Sequence, residues 1–152
     1  MTPQQRAVRD QVAAVPPRIA AAARAADPEP PSPGEWPPTD IVRHLIAVEE
    51  EVWQPRLHQL IDEDEPRWKW TEPDRWLPQP DATLDDLLER YADRRAATVA
   101  LLDALGESGW AKWGVHDVYG RLDVAGLMRK LLTHDDEHVA SLEALWRAPS
   151  VR

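Results

Sequence analysis

His134 and His138 stand four residues apart in the run Leu131-Leu132-Thr133-His134-Asp135-Asp136-Glu137-His138. The run lies in an apolar-periodic segment, and on a helix this spacing is about 40° of rotation and one turn of rise. Both imidazoles therefore leave the same face. Two neutral imidazoles one turn apart can share a divalent transition metal that finds at least one further ligand. A pair of surface histidines would show the same spacing. His44 falls at the edge of the apolar stripe of another helical segment, and could supply the third ring. Three protein ligands with an open position describe a catalytic or ligand-accepting site, whereas structural zinc is normally closed by four. Glu51 falls about 20° from His44, two turns on. It is a candidate catalytic base or fourth ligand, or else an exposed member of the acidic run Glu49-Glu50-Glu51. His58 is about 20 Å along the helix axis from His44, too far to share an ion, and reads as a solvated residue.

Two charges fall in the middle of apolar stripes, Asp135 near the histidines and Arg95 on a third segment. Buried charge is expensive without a partner, so each needs one. They can pair with each other or with neighbours across the core. Alternatively, Asp135 lies behind the ligands and orients one imidazole. Adjacent helical residues diverge by about 100°, so Asp135 cannot join a metal beside His134.

The elements that position these groups are four helical segments. Residues 3–26 are Ala/Arg-rich and interrupted by Pro16-Pro17, which predicts two pieces or one kinked helix. A proline-rich connector follows to Pro38. The second segment runs to about Ile61, with the stripe Ile41, Leu45, Val48 and Val52, and Pro55 should kink it or loosen a turn. Residues 62–80 form a long loop with Trp68, Trp70 and Trp76. Asp81-Ala82-Thr83 opens the third segment, with the stripe Leu84, Leu88, Tyr91, Thr98 and Leu102, ended by Gly106. A second loop, 107–121, carries Trp110, Trp113, His116 and Gly120; Trp113 and His116 are candidates to line a pocket. Asp123 is a good N-cap for the fourth segment, which runs to about Trp146. Its stripe is Val124, Leu127, Met128, Leu131, Val139, Leu142, Leu145 and Trp146. No alternating run predicts a strand and no repeat is present. An all-α four-helix bundle with long connecting loops, one domain over residues 1–152, is the expected architecture.

Composition narrows the chemistry. The chain has 152 residues and no cysteine, so disulfides, thiolate metal sites and cysteine nucleophiles are excluded. Its net charge of −9 argues against nucleic acid as a partner, since phosphate binding needs a surplus of Lys and Arg. Without a run of about 18 apolar residues or a signal-like start (Arg6, Arg9 and Asp10 come early), no membrane partner and a cytoplasmic location are expected. Fifteen prolines fall mostly between the periodic segments and read as punctuation. Eight Trp with no Phe put the aromatic surface largely in the loops, where it could cap a pocket mouth, form a dimer surface or cover the bundle ends.

Gly34-Glu35-Trp36, followed by Asp40 to Leu45 and Glu49, resembles the opening signature of the DinB-like superfamily, in which a G-x-W turn precedes a helix carrying the first metal histidine. Gly120-Arg121-Leu122-Asp123, followed by His134 and His138, is similar to its closing signature. Asp62–Pro66, the helix with Arg95, and His116 before Gly120 fit the same pattern, which spans about Val12 to Trp146. The departures are Pro16-Pro17, Pro55, and Asp123 where many relatives have Thr. The resemblance implies an up-down-down-up bundle, often a homodimer, with His44, His134 and His138 holding zinc, nickel or another divalent metal. It also implies a small-molecule substrate and, as in some members, a thiol cosubstrate of the mycothiol or bacillithiol type. The Ala, Arg, Pro and Trp bias suits a GC-rich actinobacterial genome and hence mycothiol. A metal-hydroxide hydrolase and a non-catalytic metal- or small-molecule-binding stress protein are the alternatives, because all three use the same ligand set. Substrate identity would reside in the loops 62–80 and 107–121.

Overall fold

The computed structural model describes residues 1–29, 32–73 and 81–146. Its main elements are α1 (Pro3–Ala25), α2 (Pro38–Val48), a π-turn (Glu49–Trp53), α3 (Gln54–Asp62), α4 (Leu84–Ala104), a short α5 (Gly106–Trp110) and α6 (Val124–Ala144). Three short strands, β1 (Arg67–Trp68), β2 (Trp113–His116) and β3 (Gly120–Asp123), complete the described chain. Local chemistry sets the ends. Thr2 and Thr83 close capping boxes with Gln5 and Asp86, and the Asp123 side chain accepts from the Gly126 amide at 2.7 Å.

Pairings between helices give their directions. Arg9 near the start of α1 meets Asp103 near the end of α4, and Arg24 at the other end meets Asp85, so α1 and α4 run antiparallel. Glu50 bonds Arg94 while Gln54, four residues on, reaches Thr98, so the second helix runs parallel to α4. Ala26 bridges Trp146 where α1 and α6 both end, so these two are parallel. The order is up-down-down-up, a four-helix bundle. Joining two parallel helices requires a long crossover, and residues 63–83 are that connection.

Two apolar clusters fill the bundle. One holds Val8, Val12, Val52, Leu57, Leu102, Leu127, Met128 and Leu131. The other holds Val15, Ile19, Leu45, Ile46, Leu87, Tyr91, Val139 and Leu142. The expected stripes supply about half of both, and α1, Ile46, Leu57 and Leu87 add to them. Trp146, expected in a stripe, is instead 60% exposed at the bundle end.

Of the two predicted proline breaks, Pro55 loosens a turn as expected, and Pro16-Pro17 does not divide α1. Pro16 and Pro17 lie inside one continuous α1 rather than between two pieces. Pro16 has no N–H to offer the Val12 carbonyl one turn back, and that oxygen instead accepts from Arg95 Nη1 at 3.1 Å. Pro55 lacks the N–H that would bond Glu51, and the turn before it widens to the π form, with the Gln54 amide reaching back to the Glu49 carbonyl.

The strands correct the expectation of none. β2 and β3 form an antiparallel hairpin across the three residues 117–119, closed by Gly120 at φ +74°, and β1 pairs in parallel with β2. The inward positions of β2 are Gly114 and His116, so the apolar alternation that marks a strand is missing from the sequence. Gly114 is required by packing: a Cβ there would lie 2.5 Å from Trp68 Cη2 and 2.8 Å from the Pro66 carbonyl. No described helix is long and apolar enough to cross a membrane.

Candidate metal centre and its cavity

α2 brings His44, and α6 brings His134 and His138, to one point at the edge of the core. His134 Nε2 lies 3.3 Å from His44 Nε2 and 3.2 Å from His138 Nε2. Each residue offers a nitrogen within 4.8 Å of the other two. Nitrogens about 2.05 Å from a tetrahedral zinc stand about 3.3 Å apart, so the donor set fits such an ion. Burial lowers the pKa of all three rings. It holds His134 at about 3, helped by the neighbouring imidazoles, and His138 at about 4, helped by His44. His44 is lowered too, against a small opposing effect of Glu72. Neutral imidazoles are the form that ligates metal. Trp36 meets His44 edge-on at 5.2 Å and Trp53 meets His134 at 6.2 Å, walling the rings on two sides.

Beneath the histidines lies a charged layer between the two apolar clusters. The Arg95 guanidinium donates from Nε to Glu49 Oε1, from Nη2 to Asp135 Oδ2 at 2.8 Å, and from Nη1 to the Val12 carbonyl. Thr98 adds a bond to Glu49 Oε2 at 3.3 Å. Both Arg95 and Asp135 are about 1% exposed. Burial pushes the Asp135 carboxyl up to about 7, against the pull of Arg95. The pairing of Arg95 with Asp135 is the simpler of the two sequence expectations. Asp135 makes no hydrogen bond to an imidazole, because its oxygen is turned to the guanidinium. The Nδ1 atoms of His44, His134 and His138 are buried with no partner among the described residues.

The histidines open on a cavity of about 470 Å³. It is lined by Trp36, Val48, Val52 and Trp53, by Arg56, His116, Tyr119 and Lys130, and by Trp70–Pro73, with Glu72 and Glu137 exposed. His116 is where the sequence puts it, buried in the cavity wall. Its Nδ1 accepts from the Val118 and Tyr119 amides at 3.0 and 3.3 Å, which leaves Nε2–H as the donor. Asp117 Oδ1 is also 3.3 Å from that Nδ1, but it accepts from the Trp70 amide. An Nδ1 already accepting two amides has no proton for it, so this is proximity rather than an ion pair.

Glu51 takes the exposed one of its two alternatives, and the expectations for Trp113 and Trp68 are corrected. Glu51 is exposed and does not line the cavity. The π-turn spreads one turn over an extra residue, which rotates Glu51 away from the line of His44. Trp113 does not line the cavity either: it lies beneath Arg121, whose guanidinium is 4.0 Å from its ring. Trp68 is not surface material but 5% exposed, with its Nε1 donating to Gln59 at 2.8 Å. Trp70 is 54% exposed, and Trp76 lies outside the described residues. His58 is exposed as expected. The sequence shows Glu49 only as part of the family signature, not as a buried partner of Arg95, and Arg56 and Lys130 are not singled out. Glu49 stands four after Leu45 and three before Val52, and Arg56 four after Val52, so core spacing is the signal that marks both.

Known proteins share this fold. A solved structure, YfiT from Bacillus subtilis, superposes with a TM-score of 0.77 at 18% identity, covering 95% of this chain and 87% of that one. At that identity the likeness concerns the fold, and YfiT's four-helix bundle topology is described as unusual. A protein of Oceanobacillus iheyensis, provisionally named a metal-dependent hydrolase, is 26% identical over 115 residues. The match takes in 72% of this chain and spans 64% of that relative's length. Residues 7–142, nearly the whole bundle with all three histidines, match the DinB superfamily. The chain is a member of the DinB superfamily, and its fold brings three histidines together at one point.

Proposed function

We propose that the chain is a metal-dependent enzyme in which His44, His134 and His138 hold a divalent ion, zinc or nickel. In this reading it transfers a low-molecular-weight thiol of the mycothiol or bacillithiol type to a small electrophile. A cation on three neutral imidazoles keeps its charge and lowers the pKa of a thiol or water that reaches it. The observation that carries the thiol reading is the lack of a buried carboxylate among the described residues of the cavity. Its two carboxylates, Glu72 and Glu137, are exposed, and Glu51 is outside it. Water starts far above neutral pH and profits from a base, whereas a thiol starts at about 8.5 and does not need one. The chain has no cysteine, so sulfur must arrive as a cosubstrate, and a cavity of about 470 Å³ has room for a small organic ligand. Trp36 and Trp53 shield the imidazoles from bulk water, and His116 offers one N–H to the bound molecules.

A hydrolase is the second reading, favoured by the names that relatives carry. Elemental analysis of tag-free protein beside a His134→Ala/His138→Ala variant tests the shared premise. About one metal per chain, lost in the variant, is the expected result. The loaded protein is then given mycothiol and monobromobimane, or an aryl ester with no thiol. Metal-dependent thiol consumption supports transfer; ester turnover by water alone, with no thiol reaction, rules it out in favour of hydrolysis.

A further inference from the structure

In a chain with 27 acidic and 18 basic side chains, the cavity wall carries two cations, Arg56 and Lys130, that no carboxylate of the described residues neutralises at close range. Arg56 is only 8% exposed. Its guanidinium lies 5.8 Å from the rings of Trp53 and Trp68, and its Nη2 donates to the Lys69 carbonyl at 3.2 Å. Among the described residues this is its one hydrogen bond, and Asp117 acts on it only at longer range. Lys130, one turn before His134, sits 4.1 Å over the Tyr119 ring and has no ion pair among the described residues. His116 stacks on the same Tyr119 at 4.6 Å, and its Nε2–H has no partner among the described residues. Burial first, and then the nearby Arg56 and Lys130, lower the pKa of His116. A buried guanidinium without a carboxylate costs free energy unless something else satisfies it, and three convergent donors suit an anion.

We propose that the cavity takes an organic carboxylate as its substrate. The carboxylate is received by Arg56, Lys130 and His116, and the apolar part of the molecule lies against Trp36 and Trp53, toward the histidines. This rests on the reading above only in taking the cavity as the place of reaction.

The test is a calorimetric titration with two probes of the same shape, 4-phenylbutyrate and its uncharged amide. Wild type is titrated as purified and after metal removal, beside Arg56→Gln and Lys130→Gln. Wild type should favour the carboxylate by at least about tenfold, the worth of one charge-assisted hydrogen bond, in both metal states. Either substitution should erase most of that preference. Lys130 is half-buried, so Lys130→Gln remains informative if Arg56→Gln does not fold. Equal affinity for the two probes, or no binding of the carboxylate at millimolar concentration, overturns the proposal. So does a preference that survives both substitutions and disappears with the metal, because the ion itself would then hold the anion. A wild-type protein without metal would refute the proposed chemistry, yet the carboxylate preference would still be measurable.

Discussion

Replacing Arg95 with methionine would strip a guanidinium from between two carboxylates while keeping much of its length and apolar stem. Glu49 and Asp135 are each about 1% exposed at the side chain, so neither can turn to water. Removing one partner of a buried ion pair costs about 3–5 kcal/mol, because the other charge stays buried. Here two carboxylates and the Val12 carbonyl lose their donor together, so about 4 kcal/mol is a lower-end expectation. For a domain of this size that is a fall in Tm of about 10–15 °C. Urea unfolding followed by circular dichroism on metal-free protein measures it. Burial already raises the Asp135 carboxyl, and without the opposing pull of Arg95 it rises further. Its charged form then opposes folding more strongly in the variant, and the stability gap to wild type should narrow as pH falls from 8 to 5. A triple variant, Glu49→Leu/Arg95→Met/Asp135→Leu, should recover most of the loss, since it removes the charges rather than orphaning them. The orphan left in it is the Val12 carbonyl, so adding Pro16→Ala should help the triple variant more than it helps wild type. A loss under about 1 kcal/mol for Arg95→Met at pH 8, or a gap that does not narrow, would refute the reasoning.

Three further outcomes follow from the same geometry. His134 and His138 have depressed pKa values, so the stability they contribute is present above pH 6.5 and lost as pH falls toward 4. Zinc binding at pH 6 should accordingly displace almost no protons from them, where ordinary imidazoles would release about 0.8 each; calorimetry in two buffers of different ionisation enthalpy counts them. Gly114→Ala drives a Cβ against Trp68 and the Pro66 carbonyl and should cost about 1–3 kcal/mol in a thermal melt; a neutral result would mean β1 moves freely away from β2. Glu51→Ala should change stability by less than about 0.5 kcal/mol and leave metal content intact, whereas Glu49→Ala should be severe. Equal effects at the two positions would show that the π-turn is misplaced.

The parts legible in the sequence are those where a regular helix carries the pattern unbroken. α6 is regular from Val124 to Ala144, so a wheel places His134, His138 and the buried Asp135 where the structure has them. The same holds for His44, which precedes the π-turn, and for Arg95 on α4. The wheel fails after Val48, because it assumes about 100° per residue through a turn that has an extra residue. That is why Glu51 is expected near His44 and found outside. Glu49 hides in an acidic run that reads as a solvated face, although its own spacing is that of the core. The strands hide because Gly114 and His116 occupy the inward positions. Arg56 was legible as a core-spaced residue but not as a cavity cation, because its ring neighbour Trp68 reaches it through β1, across a connection whose path depends on tertiary pairing.

The π-turn also gives the second helix two independent phases. In an unbroken α-helix a residue eleven positions after His44 would fall about 20° from it, and one twelve positions after would fall about 120° away. Arg56 is the twelfth, and it shares the cavity with His44 because the π-turn absorbs the difference. The ion and the wall that greets its ligand are thus set by separate stretches of one helix, joined by a counter that can gain or lose a unit. A relative lacking the extra residue should present its cavity cation eleven positions after the histidine, or have a different side chain there and a different appetite. Divergence in this family could then proceed by changing the count while the histidines stay as they are, so that one metal centre serves many substrates.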